Sequence, residues 1–138
     1  MKILFLCVAN SARSQMAEGL ARVILGKNVS VESAGSIPAK QVNPFAVQVM
    51  AEKGFDITAQ MPKSVDSIDL NSVDLIITLC AEEICPVTPS KTKVIRWPLS
   101  DPAIFDSQDQ LKRFRETRDE LHRRISDLLA KREVSLYL

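Results

Sequence analysis

The sequence predicts an α/β fold with a parallel sheet covered on both faces. Short apolar runs alternate with stretches of helical period, and each run gives way to small or polar residues. At 138 residues and 46% hydrophobic content the chain is long enough for one core, so a single domain over 1–138 is expected.

Each element follows in order. Ile3, Leu4, Phe5 and Leu6 run without polar interruption, which predicts a buried central strand over residues 2–7. From Ser14 the period changes, with Met16, Ala17, Leu20, Ala21, Val23 and Ile24 at helical spacing until Gly26. Residues 29–33 alternate as a short strand, and Ala34-Gly35 reads as a turn. Asn43-Pro44 caps and opens a second helix that carries Ala46, Val49 and Met50 toward Gly54. Residues 73–79 read as another buried strand ending at Cys80, and residues 93–97 as a fourth. Over about 108–131, Phe114, Leu121, Ile125, Leu128 and Leu129 share one face of a surface helix packed on the sheet. The prolines 86, 89, 98 and 102 mark a loop-rich region.

Composition excludes several classes. With 18 basic against 17 acidic residues, nothing suggests a nucleic-acid surface or an anionic membrane as partner. The apolar opening is far shorter than a membrane span and has no signal-peptide pattern, so a cytoplasmic protein with reduced thiols is expected. Three cysteines there are better suited to chemistry than to a disulfide framework. Cys80 and Cys85, with Cys7 and the single His122, do not make the usual zinc donor set, so no metal is expected.

The strongest signal is the segment from Cys7 to Ser14, placed where a strand ends and a helix begins. A tetrahedral oxyanion needs converging N–H donors and a planar cation. The loop Val8, Ala9, Asn10, Ser11 and Ala12 supplies the first, and the Arg13 fork the second. Asn10 suits the positive φ such a cradle needs. Cys7 would lie under the same amides, near the positive end of the helix, where Ser11 and Ser14 hydroxyls can donate to a thiolate. Asp101, held extended by Pro102 after the fourth strand, is a candidate acid for a departing oxygen. Cys7, Cys80 and Asp101 all fall just after predicted strands, where ligands bind in such sheets. Cys80 and Cys85 read either as a redox pair or as two buried thiols beside a strand. As a pair they need a bend, because residues five apart on an ideal helix are separated by about 7.5 Å along its axis.

The segment from Cys7 to Glu18, together with Thr78-Leu79-Cys80, Cys85-Pro86, Trp97-Pro98 and Asp101-Pro102, resembles the cytosolic, thioredoxin-coupled arsenate reductases built on the low-molecular-weight tyrosine phosphatase fold. The resemblance spans nearly the whole chain. It implies a three-layer, flavodoxin-like fold with a four-stranded parallel sheet, and a three-thiol relay for arsenic detoxification. In that relay Cys7 attacks arsenate while Arg13 and the loop amides hold its oxygens and Asp101 protonates the leaving one. Cys80 then attacks the Cys7 adduct to release arsenite, and Cys85 passes the oxidation outward. Thioredoxin is the reductant this implies, with glutaredoxin or glutathione the alternative; no tightly bound cofactor is implied, phosphate competes, and a monomer is expected. Some relatives hold potassium near the loop through positions matching Asn10, Glu18 and Ser33. Lys63 stands where they carry an acidic residue, and it is expected to pair with Glu18 and support the loop instead.

Two other functions compete. A phosphatase would use Cys7, Arg13 and Asp101 unchanged and hydrolyse a phosphocysteine with water, but has no need of Cys80 or Cys85. Its usual aromatic lining after Asp-Pro is here Ala103 and Ile104, with Phe105 as one wall. An oxyanion-binding redox sensor would use the 80–85 region to alter a partner surface. Arg113, Arg115, Arg118, Arg123 and Arg124 would mark such a surface, but their interleaving with Glu116, Asp119, Glu120 and Asp127 reads as a solvated face.

Overall fold

The computed structural model describes residues 1–81, 91–104 and 107–131, and in it the N-terminal apolar run forms β1 (Lys2–Cys7). Parallel pairing places it between β2 (Ser30–Gly35) and β3 (Leu75–Thr78), and β4 (Lys93–Arg96) adds to β3, giving the order β2-β1-β3-β4. Ile3, Leu4, Phe5 and Leu6 are all fully buried, so β1 has no solvent face, and its sequence accordingly shows no alternation.

One face of the sheet carries the helices α1 (Arg13–Ile24), α2 (Pro44–Glu52) and α3 (Ser107–Ala130). Ile3 and Phe5 meet Met16, Leu20, Val49, Met50, Phe114, Leu121 and Ile125 in one core there. Leu4 and Leu6 turn to the other face and join Ala34, Val73 and Ile76. Among the described residues that layer is closed by Val65, Ile68 and Leu70, from a stretch with two short 3₁₀ helices, Val65–Ser67 and Leu70–Ser72.

The second helix begins as its sequence predicts. Asn43 is its N-cap, accepting from the Phe45 amide at 2.9 Å, and Pro44 follows inside the first turn. Three expectations need correction. Ala34-Gly35 is not a turn, because both residues belong to β2, where Gly35 pairs with Cys7. The third strand is shorter than 73–79, although the Leu79 amide still reaches the Leu6 carbonyl at 2.9 Å and prolongs the ladder. The arginines of α3 do not all lie on a solvated face. Arg118 is buried and donates to the Val49 carbonyl and Glu52, both at 2.8 Å, while Arg115 also grips Glu52, so the two fasten α3 to the end of α2.

Candidate active site

The loop after β1 is shaped from outside. All five carbonyls from Val8 to Ala12 are bonded away from its centre. Val8 accepts from the Ile37 amide (3.0 Å), Ala9 from Ala39 (2.9 Å), Ser11 from Asn43 (2.8 Å) and Ala12 from Met16 (2.9 Å), while Asn10 accepts from the Gln15 side chain (3.0 Å). In a planar trans peptide the N–H points opposite to the C=O, so carbonyls pulled outward turn the amides of residues 9–13 inward. Asn10 makes the bend at φ 50°, the one non-glycine residue with positive φ among those described. Its amide reaches the Cys7 sulfur at 3.3 Å. Helix α1 then starts at Arg13 with no side-chain cap from Ala12, which leaves its first-turn amides to face the loop.

Cys7 is free and buried at the floor of this ring. Ser14 Oγ stands 2.8 Å from its sulfur, and Asn10 Nδ2 donates to the same Oγ at 2.7 Å. With one lone pair accepting from Asn10, the Ser14 hydroxyl can turn its own proton toward the sulfur. The Ser11 hydroxyl, expected to share this task, makes no hydrogen bond to Cys7 among the described residues; the backbone bend at Asn10 brings only Ser14 within reach.

Arg13 is 3% exposed, and its Nη1 donates to the carbonyls of Leu99 at 2.9 Å and Leu79 at 3.3 Å. Those two carbonyls fix the guanidinium plane. They also tie the loop to the ends of β3 and β4, which carry Cys80 and Asp101. Asp101 Oδ2 is 4.0 Å from Arg13 Nη2, while its Oδ1 accepts from the Ala103 amide at 2.9 Å, so the carboxyl is aimed by its own turn. Cys80 follows the residue that extends the ladder beside Cys7, and it is disulfide-bonded. Cys85, the neighbouring Pro86 and Pro89, and Phe105 lie outside the described residues.

Behind the loop, Glu18 is buried and accepts from Ser33 Oγ at 2.7 Å. Arg22 approaches its other oxygen at 2.9 Å, and Lys63 Nζ lies 3.8 Å from the first. The expected Glu18, Ser33 and Lys63 group is thus assembled, with Arg22 as a second cation that the sequence reading missed.

Glycine 35 was missed as well. A Cβ there would collide with the Val8 carbonyl, so the end of β2 can lie against the loop only without a side chain. Nothing local in the sequence distinguishes a glycine needed for close approach from one needed for a turn. Gln15 and Gln60 carry no signal of their own in the sequence.

A strand-loop-helix cradle with a buried thiol beneath it defines a class of phosphate-type oxyanion enzymes. The chain belongs to the low molecular weight phosphotyrosine protein phosphatase family, which it matches over residues 2–135. Within that family its similarity runs to arsenate reductases. It is 46% identical over 127 residues to the arsenate reductase of Halalkalibacterium halodurans, covering 89% of this chain and 91% of that protein. The arsenate reductase of Archaeoglobus fulgidus superposes with a TM-score of 0.80 at 34% identity, over 93% of this chain and 98% of that one. The thioredoxin-dependent arsenate reductase of Corynebacterium glutamicum gives 0.76 at 30% identity, over 97% of this chain and 62% of that one.

Proposed function

We propose that this chain reduces arsenate to arsenite, with Cys7 as nucleophile and Cys80 and Cys85 as successive thiol carriers. The observation that carries this reading is the pairing of a free Cys7 under the amide ring with a disulfide at Cys80, on the strand end that Arg13 grips. A phosphatase would need the first and has no use for the second.

The Cys7 thiolate attacks arsenic, and one oxygen leaves as water with a proton from Asp101. Arg13 and the inward amides hold the remaining oxygens throughout. The Cys80 thiolate then attacks the Cys7 sulfur; the S–As bond breaks, its electron pair stays on arsenic, and As(V) departs as As(III) arsenite. A Cys7–Cys80 disulfide remains. Attack by the Cys85 thiolate on the Cys80 sulfur returns Cys7 as thiolate and leaves the oxidation on a Cys80–Cys85 bond, which an external dithiol reduces with two electrons. Thioredoxin is the proposed dithiol, as the name of the Corynebacterium relative suggests. No tightly bound cofactor takes part, and Lys63 with Arg22 supplies the positive charge behind Glu18.

Phosphate shares arsenate's charge and tetrahedral shape, so it competes for the cradle. Selection then lies in chemistry, because phosphorus does not accept the electron pair. The test is arsenite formation from arsenate with thioredoxin, thioredoxin reductase and NADPH, run beside a glutaredoxin and glutathione system. Sustained turnover with the first supports the whole reading, and turnover only with the second changes the partner. No arsenite with either, together with hydrolysis of an aryl phosphate, would overturn it in favour of a phosphatase.

A further inference from the structure

We propose that Gln60 and Gln15 are positioning residues, forming a directed chain of hydrogen bonds that sets the donor orientation of Asn10 and Ser14 beneath the anion loop. The inference rests on the loop being the anion site and concerns residues to which no role has yet been given.

The direction of the chain is fixed by backbone groups. Gln60 Nε2 donates to the Gln15 carbonyl at 3.0 Å, which identifies it as the amide nitrogen, and it donates to Gln15 Oε1 at 2.8 Å. Gln15 is therefore held with its oxygen toward Gln60 and its nitrogen toward the loop. That nitrogen donates to the Asn10 carbonyl at 3.0 Å and to Asn10 Oδ1 at 3.1 Å. The Lys63 amide donates to the same Oδ1 at 2.8 Å, so Asn10 must present Nδ2 to Ser14 Oγ, which stands 2.8 Å from the Cys7 sulfur. Every amide in the series has one permitted orientation. Gln15, Asn10 and Ser14 are fully buried, so none can exchange a lost partner for water without cost.

A second observation places Gln60 for this task. Gly19 on α1 has no room for a Cβ, which would overlap Ile57 and lie 3.4 Å from Gln60 Oε1. The 57–60 turn thus docks directly on the helix. Asp56 holds the turn by accepting from both the amide and the hydroxyl of Thr58, at 2.9 and 2.6 Å. Gln60 uses only its donors among the described residues. The role is therefore asymmetric, because a donor at this place sustains the chain, whereas an acceptor sets oxygen against the Gln15 carbonyl and Oε1 and pushes Gln15 out of place.

The test compares Gln60→Leu, Gln60→Glu and Gln60→Lys with wild type, each reduced and held well below its thermal midpoint. Two quantities are read: the iodoacetamide alkylation rate at Cys7, by peptide mass spectrometry, and the inorganic phosphate concentration that halves it. With Leu or Glu, the phosphate needed should rise about three- to tenfold and alkylation should slow comparably, the value of one neutral hydrogen bond, while Lys stays within about twofold of wild type. A merely structural role would lower the thermal midpoint and leave both quantities unchanged, or would make Lys as damaging as Glu; either result overturns the proposal. Should the Leu variant not fold, Glu against Lys decides, since both are long and charged and differ in donor capacity. Neither readout uses arsenate, so absence of arsenite formation would defeat the proposed reduction and leave this inference standing.

Discussion

At the residue scale the site depends on groups that accept in one direction only. Ser14 can donate to the Cys7 sulfur because Asn10 occupies its oxygen. Ser14→Ala removes a buried hydrogen bond at the sulfur, worth about 0.5–1.5 kcal/mol, so Cys7 alkylation at neutral pH should slow about three- to tenfold while the fold persists. An unchanged rate would show that the sulfur does not depend on that hydroxyl. Gly35→Ala acts differently, forcing a methyl group into the Val8 carbonyl. The loop must shift, and phosphate protection of Cys7 should be lost even where circular dichroism is unaltered. Lys63 tests the support behind the loop. Wild-type turnover should be the same in potassium and sodium at equal ionic strength, and Lys63→Met should lower it; strong, specific activation of wild type by potassium would contradict this role.

At the scale of elements, α3 is fastened to α2 through one carboxylate. Glu52 is held down to about 2 from its ordinary 4.5, chiefly by the hydrogen bond from Arg115 and, against the opposing effect of burial, by that from Arg118. Between those two pH values the unfolded chain binds the proton that the folded one refuses, so this stabilisation is complete above about 4.5 and is lost as pH falls toward about 2. The urea midpoint of Glu52→Gln should accordingly fall less steeply with acid than that of wild type. Some acid slope remains, because Glu120 is lowered in the same way by Arg123 and Arg124. Arg118→Ala leaves the Val49 carbonyl without its buried donor and should cost about 1–3 kcal/mol in urea unfolding. Nothing in the local pattern of α3 separates Arg118 from the arginines around it, because the partner that buries it lies 66 residues away. The same limit governs the rest of the fold. Strands with no solvent face, the Asn43-Pro44 cap and the positive φ of Asn10 were legible, since each is dictated by residues within a few positions. Gly35, Gln15 and Gln60 were not, because their roles arise only when β2 and the 57–60 turn close on the loop.

For the whole molecule, the order β2-β1-β3-β4 makes β1 the point at which the chain leaves to opposite sides, and ligands in open α/β sheets bind at such a point. Cys7 ends β1, and Cys80 lies just beyond the neighbouring β3, so the topology brings the proposed nucleophile and the proposed resolving thiol to adjacent strand ends. Every carbonyl of the loop from Val8 to Ala12 is bonded outward. The most direct test is a single pass with reduced Cys85→Ser and excess arsenate, without external reductant. The three-thiol relay predicts about one arsenite per enzyme and a Cys7–Cys80 bridged peptide in the digest. No arsenite, or equal release from Cys80→Ser, would contradict it.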